Sequence, residues 1–294
     1  MTVVAAPAGP LGLVTPDVPA GRCLVMGVVN VTPDSFSDGG RWADTDSAVA
    51  RGRQLLAEGA DLLDVGGEST RPGAERVPED VELRRVVPVV AALAAEGAVV
   101  SVDTMRASVA EQALVAGARL VNDVSGGLAD SAMPALVAAT GAPFVVMHWR
   151  GHSAGMDDRA AYADVVDDVR SELLARLEAL TAAGVDERRL VLDPGLGFAK
   201  TGEHNWALLA GLEALTSLGR PVLVAASRKR FLGHLLAGSR PGAGEPVPPE
   251  ERDDASAAVS ALAAAAGAWC VRAHEVGASA AAVRVAAAWE GHRR

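Results

Sequence analysis

Eight short apolar runs alternate with stretches of helical periodicity, and this alternation limits the possible folds more than any other feature of the chain. Residues 160–183, for example, place Val and Leu at helical spacing with charged residues between them, which predicts an amphipathic helix. Apolar strands that are regularly followed by helices predict a parallel sheet covered by helices. The runs that predict strands are residues 23–31, 61–65, 98–102, 119–121, 143–147, 190–192, 221–224 and 268–271.

Eight strand and helix units favour a closed (β/α)8 barrel, a TIM barrel, in a single domain. The chain has 294 residues, and such a barrel takes about 250. A doubly wound open sheet is the alternative. Residues 1–20 lack useful periodicity, so we predict a loosely ordered tail there and the barrel domain over residues 21–294. We expect a surface loop over residues 238–249, followed by an additional helix that begins near Arg252.

Charge and cysteine content narrow the possible partners. Lys and Arg number 27 against 37 Asp and Glu, and the net charge of -10 disfavours non-specific binding to nucleic acid or anionic membranes. We see no apolar run long enough for a membrane span and no secretory signal, so we expect a cytoplasmic protein. Cys23 and Cys270 are far apart without zinc-type spacing, which indicates buried core residues rather than a disulfide or a metal site.

Polar residues follow the predicted strands at their carboxyl ends. In a barrel these ends meet on the face that carries the active site. Carboxylates and amides suit a donor-rich heterocycle, whereas Arg71 and the other cations suit phosphate or pyrophosphate, with an amide oxygen helping to hold Mg²⁺. The sequence therefore predicts a site that binds a heterocycle and releases an oxyanion. The polar residues are Asn30, residues 68–71, Asp103, Asn122, Asp123, His148, Asp193, residues 227–229, Arg272 and His274.

Some of these residues also have purely structural interpretations. Asp103 and Asp193 each precede a potential helix start, where an Asp can cap the helix without binding any ligand. His148 follows an apolar strand and is equally well explained as a hydrogen-bonded core histidine, so it is not among the catalytic candidates. Adjacent residues on a helix point apart, so the run at residues 228–230 places at most one or two cations in the site.

Two long motifs resemble the dihydropteroate synthase family. They are MGVVNVTPDSFSDGG at residues 26–40 and DVGGESTRPGA at residues 64–74. Shorter matches are SVDT at 101–104, NDVSGG at 122–127, DPGLGFAK at 193–200 and SRKRFLG at 227–233. The resemblance extends from residue 24 to residue 289. One departure is visible at residues 272–275, which read RAHE where the family usually has Arg-Val-His-Asp.

The resemblance implies an enzyme of folate synthesis on a (β/α)8 barrel. Such an enzyme joins p-aminobenzoate to 6-hydroxymethyl-7,8-dihydropterin diphosphate, giving 7,8-dihydropteroate and pyrophosphate, with Mg²⁺ as cofactor and a homodimer as the expected assembly. The ring nitrogens of the dihydropterin can delocalise positive charge, so pyrophosphate can leave ahead of amine attack without a protein nucleophile.

The resemblance also implies roles for individual residues. Asp103, Asn122, Asp193 and Lys229 match pterin-ring contacts, and Met147 and Phe198 match apolar walls. Asn30 matches the Mg²⁺ ligand, Arg272 and His274 match the pyrophosphate clamp, and Thr70 matches a contact to the diphosphate substrate. Phe36, Asp38, Arg71 and Pro72 lie on loops expected to close over the site, and Ser227 and Lys229 match contacts to p-aminobenzoate. The expected catalytic residues are Lys229, Arg272, His274, Asp38 and Arg71.

Two other functions remain open at this point. A related barrel passes a methyl group from a reduced folate to a corrinoid protein, but that reaction does not need the Ser-Thr-Arg-Pro-Gly loop. A non-catalytic paralogue that binds pterin or supports another protein is the second alternative. Pyrophosphate release that requires both substrates would separate the synthase from both.

Overall fold

The computed structural model describes residues 11, 13, 22–32, 41–68, 76–151, 159–238 and 245–292. Within these ranges, eight strands run parallel to one another in one sheet. Each overlaps one of the eight predicted runs, with ends that differ by a few residues. The strands are β1 (Leu24–Asn30), β2 (Leu62–Gly66), β3 (Val100–Asp103), β4 (Leu120–Asp123), β5 (Phe144–Met147), β6 (Leu190–Asp193), β7 (Leu223–Val224) and β8 (Cys270–Ala273).

The sheet closes on itself. Its strand order is β6-β5-β4-β3-β2-β1-β8-β7, and a parallel bridge between Leu192 and Val222 joins the two ends. The backbone N–H of Leu192 donates to the carbonyl oxygen of Pro221 at 2.8 Å across this junction. The predicted single-domain (β/α)8 barrel is therefore confirmed, and the open sheet is wrong.

Helices connect the strands and cover the outside of the barrel. The helix predicted within residues 160–183 spans Val165–Ala182, and the additional helix before β8 follows a 3-10 turn at Pro249–Arg252. No helix in the described part of the chain is long and apolar enough to cross a membrane. The helices are α1 (Arg41–Glu58), α2 (Glu79–Ala95), α3 (Ala107–Val115), α4 (Met133–Thr140), α5 (Val165–Ala182), α6 (Gly202–Ala210), α7 (Glu213–Thr216), α8 (Arg230–Ala237), α9 (Asp253–Ala265) and α10 (Val276–Gly291).

Alternation along the strands divides the apolar core in two. Residues such as Leu63 and Val65 face the helices, whereas Leu62 and its counterparts on other strands fill the lower inside of the barrel. Leu11 and Leu13, from the segment predicted to be a loose tail, are buried against this inner cluster. Most of that segment lies outside the described residues. Because the lower interior is apolar, polar inward-facing residues are concentrated toward the carboxyl ends of the strands.

Both cysteines are buried and unpaired, which agrees with their interpretation as core residues. Cys270 belongs to the inner cluster and Cys23 to the outer one. Of the predicted surface loop, residues 239–244 lie outside the described part of the chain.

Candidate active site

Arg272 on β8 joins three strands at the carboxyl end of the barrel. Its Nε donates to Asp64 Oδ2 at 2.6 Å, and its Nη2 donates to Asp103 Oδ2 at 2.8 Å. Asn122 Nδ2 donates to the same Asp64 oxygen at 2.9 Å. Strand register explains the arrangement, because Asp64 lies beside Ser101, and Asp103 lies beside Asn122. The structure therefore brings together the predicted residues Asp103, Asn122 and Arg272 around one carboxylate, that of Asp64.

The pKa of Asp103 is raised to about 7. Burial is the main cause, and the positive charge of Arg272 opposes it. Asp103 does not cap α3, since Asp130 Oδ2 accepts from the first backbone N–H of that helix, at Ala107. The capping interpretation of Asp103 is therefore wrong, and its carboxylate is directed at the arginine.

Asp193 and Lys229 lie on the opposite side of the same rim. Asp193 ends β6 and is 4% exposed, and its Oδ1 accepts from the backbone N–H of Gly195 at 2.7 Å. This bond shapes the turn after β6, whereas Thr201 caps the helix that follows, so the capping interpretation of Asp193 is wrong. Lys229 donates to the carbonyl oxygen of Leu196, and its Nζ lies 4.8 Å from the centre of the Phe198 ring.

Burial moves the pKa values of this pair toward each other. The pKa of Asp193 is raised by burial, with Lys229 opposing the shift. The pKa of Lys229 is lowered to about 8 by burial, with Asp193 opposing the shift. A carboxylate with a raised pKa and an ammonium group with a lowered pKa thus share one half of the site, where each can exchange hydrogen bonds with a polar ligand.

His148 is a hydrogen-bonded histidine, as its structural interpretation proposed. Its Nε2 lies 2.9 Å from Glu172 Oε2, and its Nδ1 lies 2.9 Å from Lys200 Nζ. Burial is the main reason why its pKa falls to about 3. A neutral imidazole fits both contacts, because Nε2–H can donate to the carboxylate while Nδ1 accepts from the ammonium group.

Lys200 is a residue that sequence reasoning did not assign to the site. Its Nζ donates to the carbonyl oxygen of Phe198 at 3.0 Å, and burial lowers its pKa to about 7. The contact ties the Phe198 segment to His148. The only signal in the sequence is the position of Lys200 at the end of the DPGLGFAK motif, from which its burial does not follow.

The last strands contribute Ser227 and His274. Ser227 Oγ accepts from the backbone N–H of His274 at 3.0 Å and lies 3.1 Å from His274 Nδ1. Two predicted residues are therefore in direct contact. Of the neighbouring cations, Arg228 pairs with Asp253 at 2.7 Å, and Arg230 begins α8 on the exposed surface. Lys229 is thus the member of this run that faces the site.

The remaining predicted residues divide into three groups. Asn30 ends β1 and Met147 ends β5 beside Asp193, so both lie on the same rim. By contrast, Asp123 faces outward, where its carboxylate accepts from Ser125 and Gly127 and shapes the following turn. The predictions for Phe36, Asp38, Thr70, Arg71 and Pro72 lie outside the described residues.

An ion-pair cluster outside the barrel holds Glu68 and Arg76, which flank residues 69–75, the predicted loop after β2. Arg106 Nη1 donates to Glu68 Oε2 at 2.9 Å and also pairs with Glu82, which accepts from Thr104 Oγ1 at 2.6 Å. Glu68 further accepts from Arg76 at 3.0 Å. Glu68 is therefore engaged in anchoring the chain rather than in the inner site.

Together, these features define a single-domain (β/α)8-barrel enzyme with paired carboxylates, amides and cations at its carboxyl rim. Residues 26–274 match the family model described as pterin binding enzyme. The chain is 58% identical over 266 residues to the dihydropteroate synthase of Mycobacterium leprae, covering 90% of this chain and 93% of that protein.

Two solved structures from Xanthomonas albilineans are also similar. One is a dihydropteroate synthase with 4-aminobenzoic acid, 45% identical with a TM-score of 0.83 over 92% of this chain and 93% of that one. The other holds 7,8-dihydropteroate and is 42% identical with a TM-score of 0.81, covering 94% of this chain and 95% of that one. The chain belongs to the pterin binding enzyme family and, within it, to the dihydropteroate synthases, which are transferases of folate synthesis.

Proposed function

We propose that this enzyme condenses 6-hydroxymethyl-7,8-dihydropterin diphosphate with p-aminobenzoate, releasing pyrophosphate. The observation that carries the proposal is the meeting of Asp103, Asn122, Asp193 and Lys229 at one rim, around a site with Arg272 on its other side. Related proteins of known structure hold 4-aminobenzoic acid and 7,8-dihydropteroate, the second substrate and the product of this reaction.

The buried polar groups match the edges of a pterin ring. The ring carries an amidine-like N–H edge, and a carboxylate such as Asp193 accepts two parallel hydrogen bonds from an edge of this kind. Asn122 and Lys229 supply the complementary donors and acceptors. Met147 and Phe198 provide apolar contacts for the ring faces, because both lie at the same rim.

Asn30, at the end of β1, fits a magnesium ion that takes a single ligand from the described part of the protein. Asn30 provides a neutral amide oxygen there, and no group of three or more His, Cys, Asp or Glu side chains in the described residues is arranged around a metal. Mg²⁺ commonly retains several waters and takes the rest of its ligands from substrate phosphates. Bound there, it would neutralise charge on the diphosphate. Arg272 and His274 would bind the same anion, and Thr70 would contribute from the second loop.

Arg272 has capacity for this role beyond its two carboxylate bonds. The bonds to Asp64 and Asp103 use Nε and Nη2, so Nη1 has no hydrogen-bond partner among the described residues. A fixed cation beside the departing group stabilises the charge that develops on it, without reorganisation during the reaction.

On this proposal the carbon–oxygen bond to pyrophosphate breaks before the amine attacks. Electron donation from the dihydropterin ring stabilises the methylene cation, and the electron pair of the broken bond leaves with pyrophosphate. The amine nitrogen then bonds to the methylene carbon and loses a proton. Ser227 and Lys229 would hold p-aminobenzoate in line, while the loops with Phe36, Asp38, Arg71 and Pro72 would exclude water. We further propose a cytoplasmic homodimer.

The first experiment measures pyrophosphate release by purified enzyme with Mg²⁺ and each substrate, alone and together. The synthase requires both substrates and yields dihydropteroate in equal amount. Pterin binding without turnover would instead show a non-catalytic paralogue. Methyl transfer from a reduced folate to a corrinoid acceptor would show the alternative enzyme.

A second experiment tests the order of bond breaking. The substrate carries heavy oxygen at the bridge between methylene and phosphorus, and phosphorus NMR follows this label during incubation with enzyme, Mg²⁺ and a non-nucleophilic p-aminobenzoate analogue. Reversible ionisation should move the label to non-bridging positions, and Arg272→Ala should slow the movement. An active wild-type enzyme that leaves the label in place would contradict the dissociative order.

A further inference from the structure

Asp64 is a carboxylate in the middle of an otherwise apolar strand. It is 0% exposed and lies between Leu63 and Val65, whose side chains face the surrounding helices. Its own side chain therefore faces the inside of the barrel. Register places it beside Ser101, one inward-facing position below the pair formed by Gly66 and Asp103. Asp64 thus lies beneath the rim where the ligand is proposed to bind.

The hydrogen bonds of Asp64 are made to residues with proposed ligand roles. Its Oδ2 accepts from Arg272 Nε at 2.6 Å and from Asn122 Nδ2 at 2.9 Å. Its Oδ1 has no hydrogen-bond partner among the described residues. A buried ion is costly to stability unless its partners satisfy it, and an apolar residue of similar size is often at least as stable. The position is therefore not arranged for stability alone.

The two bonds fix two orientations. An ionised carboxylate only accepts hydrogen bonds, so the Asn122 amide must present Nδ2 to Asp64 and turn its Oδ1 away. The guanidinium of Arg272 is planar, and Asp64 and Asp103 hold it at two different nitrogens from adjacent strands, which fixes its plane.

We propose that Asp64 is a positioning residue of the pterin site, which sets the plane of the Arg272 guanidinium and the orientation of the Asn122 amide. The inference rests on the proposed function of the site. Without the Asp64 charge, Asp103 alone would hold Arg272. The guanidinium would then be free to turn and bond both Asp103 oxygens, one of which the ligand needs. The amide of Asn122 would be free to rotate and present the wrong group to the ring.

The same arrangement affects the pH dependence of ligand binding. The charged groups that act on Asp103 are Arg272 on β8 and Asp64 on β2, inside the barrel, and Glu82 on α2 and Asp123 on β4, outside it. Burial and the three carboxylates raise its pKa, and Arg272 opposes them. Ligand binding by ionised Asp103 weakens as the pH falls through about 7. Removing the negative charge of Asp64 lowers the pKa of Asp103, so this weakening moves to lower pH.

Asp64→Asn tests the proposal, because it keeps the shape and removes the charge. Asp61→Asn is the matched control, since Asp61 also pairs with an arginine, Arg22 at 2.5 Å, but lies just before the amino end of β2, away from the rim. Calorimetry with a pterin ligand between pH 6 and pH 9 gives affinity, and steady-state kinetics gives KM for each substrate. We expect Asp64→Asn to weaken pterin binding at pH 8 by about tenfold or more, with less than about twofold change for the control.

The expected signature also includes a lower midpoint for the pH dependence and an unchanged KM for p-aminobenzoate. A merely structural role would lower both affinities together without moving the midpoint, and that result would overturn the proposal, as would pterin affinity within about twofold of wild type. If the variant does not fold, NMR on the unaltered protein decides. A slowly exchanging Arg272 Nε–H supports its bond to a buried carboxylate, and rapid exchange refutes it. Failure of wild type to form dihydropteroate would refute the proposed function alone.

Discussion

Replacing Asp193 by Asn should separate its role in ligand recognition from its role in the turn after β6. The carboxylate is 4% exposed, and its Oδ1 accepts from the backbone N–H of Gly195 at 2.7 Å. The amide oxygen of Asn can keep that bond, so the turn should persist. The other oxygen becomes an amide N–H donor, which would then face the N–H edge of the pterin.

The loss combines a missing charge-assisted hydrogen bond with two donors that face each other in a buried site. Together these cost about 2 to 4 kcal/mol in binding free energy. The dissociation constant of a pterin ligand should therefore rise by about 30- to 700-fold. The variant also removes the carboxylate that opposes the burial of Lys229, so the pKa of Lys229 should fall further below about 8. Because Lys229 would then lose its charge at lower pH, the loss of pterin affinity in the variant should increase as the pH rises through neutrality.

Calorimetry with a pterin ligand measures the change, and circular dichroism verifies folding. Asp123→Asn is the matched control, because Asp123 also ends a strand, β4, is also buried, and faces the loop instead of the barrel interior. It should lower the free energy of unfolding, since its carboxylate accepts from Gly127 at 2.9 Å, while the folded protein keeps its pterin affinity. Near-wild-type affinity in a folded Asp193→Asn protein would exclude Asp193 from ring recognition.

Three further predictions concern a loop, a turn and the thiols. Arg71→Ala should raise KM for p-aminobenzoate or lower kcat while pterin affinity stays within about threefold, a difference under about 1 kcal/mol; a collapse of pterin affinity would contradict the assignment of Arg71 to the amine. Gly195→Ala should lower the free energy of unfolding in urea by about 2 to 4 kcal/mol, because φ is +67° and the new Cβ would lie 2.4 Å from a backbone carbonyl oxygen. Gly219→Ala, with φ of +72° but open space, should cost only about 1 to 2 kcal/mol, and equal losses would contradict the steric argument. Burial raises the pKa of Cys23 to about 12 and also raises that of Cys270, so iodoacetamide at pH 8 should label neither thiol until guanidinium unfolds the chain, as mass spectrometry can show.

The fold was predictable because its signal is local and repeated. Each apolar run is a strand buried on both faces, and the chain alternates such runs with helices, which leaves few possible topologies. The ends of the strands were less predictable, as β2 begins at Leu62 and includes Gly66 rather than ending at Val65. Strand ends depend on hydrogen bonds to neighbouring strands, which the sequence does not display.

The rim of the site was predictable for a related reason, since parallel strands place all their carboxyl ends on one face. The partners of each residue were not. Asp64 lies inside an apolar run, and its bond to Arg272 joins residues 208 positions apart. One signal was available. Asp64 lies two residues after Leu62 and therefore on the same face of the strand, so a strand with Leu62 inside the barrel must also bury this carboxylate. The contact of Lys200 with His148 had no comparable signal, because it depends on how two turns pack.

Among the described strands, the junction between β6 and β7, which closes the barrel, has the fewest paired residues. β7 has only two residues, and a single bridge between Leu192 and Val222, the residue just before β7, joins the two sides. Asp193 follows Leu192 on the β6 side of this junction, and Ser227 and Lys229 follow β7 on the other side. A small change in the distance between β6 and β7 would break few hydrogen bonds. It would nevertheless alter the separation between the residues proposed for the pterin and those proposed for p-aminobenzoate. The width of the barrel at this junction therefore sets how far apart the residues proposed for the two substrates lie.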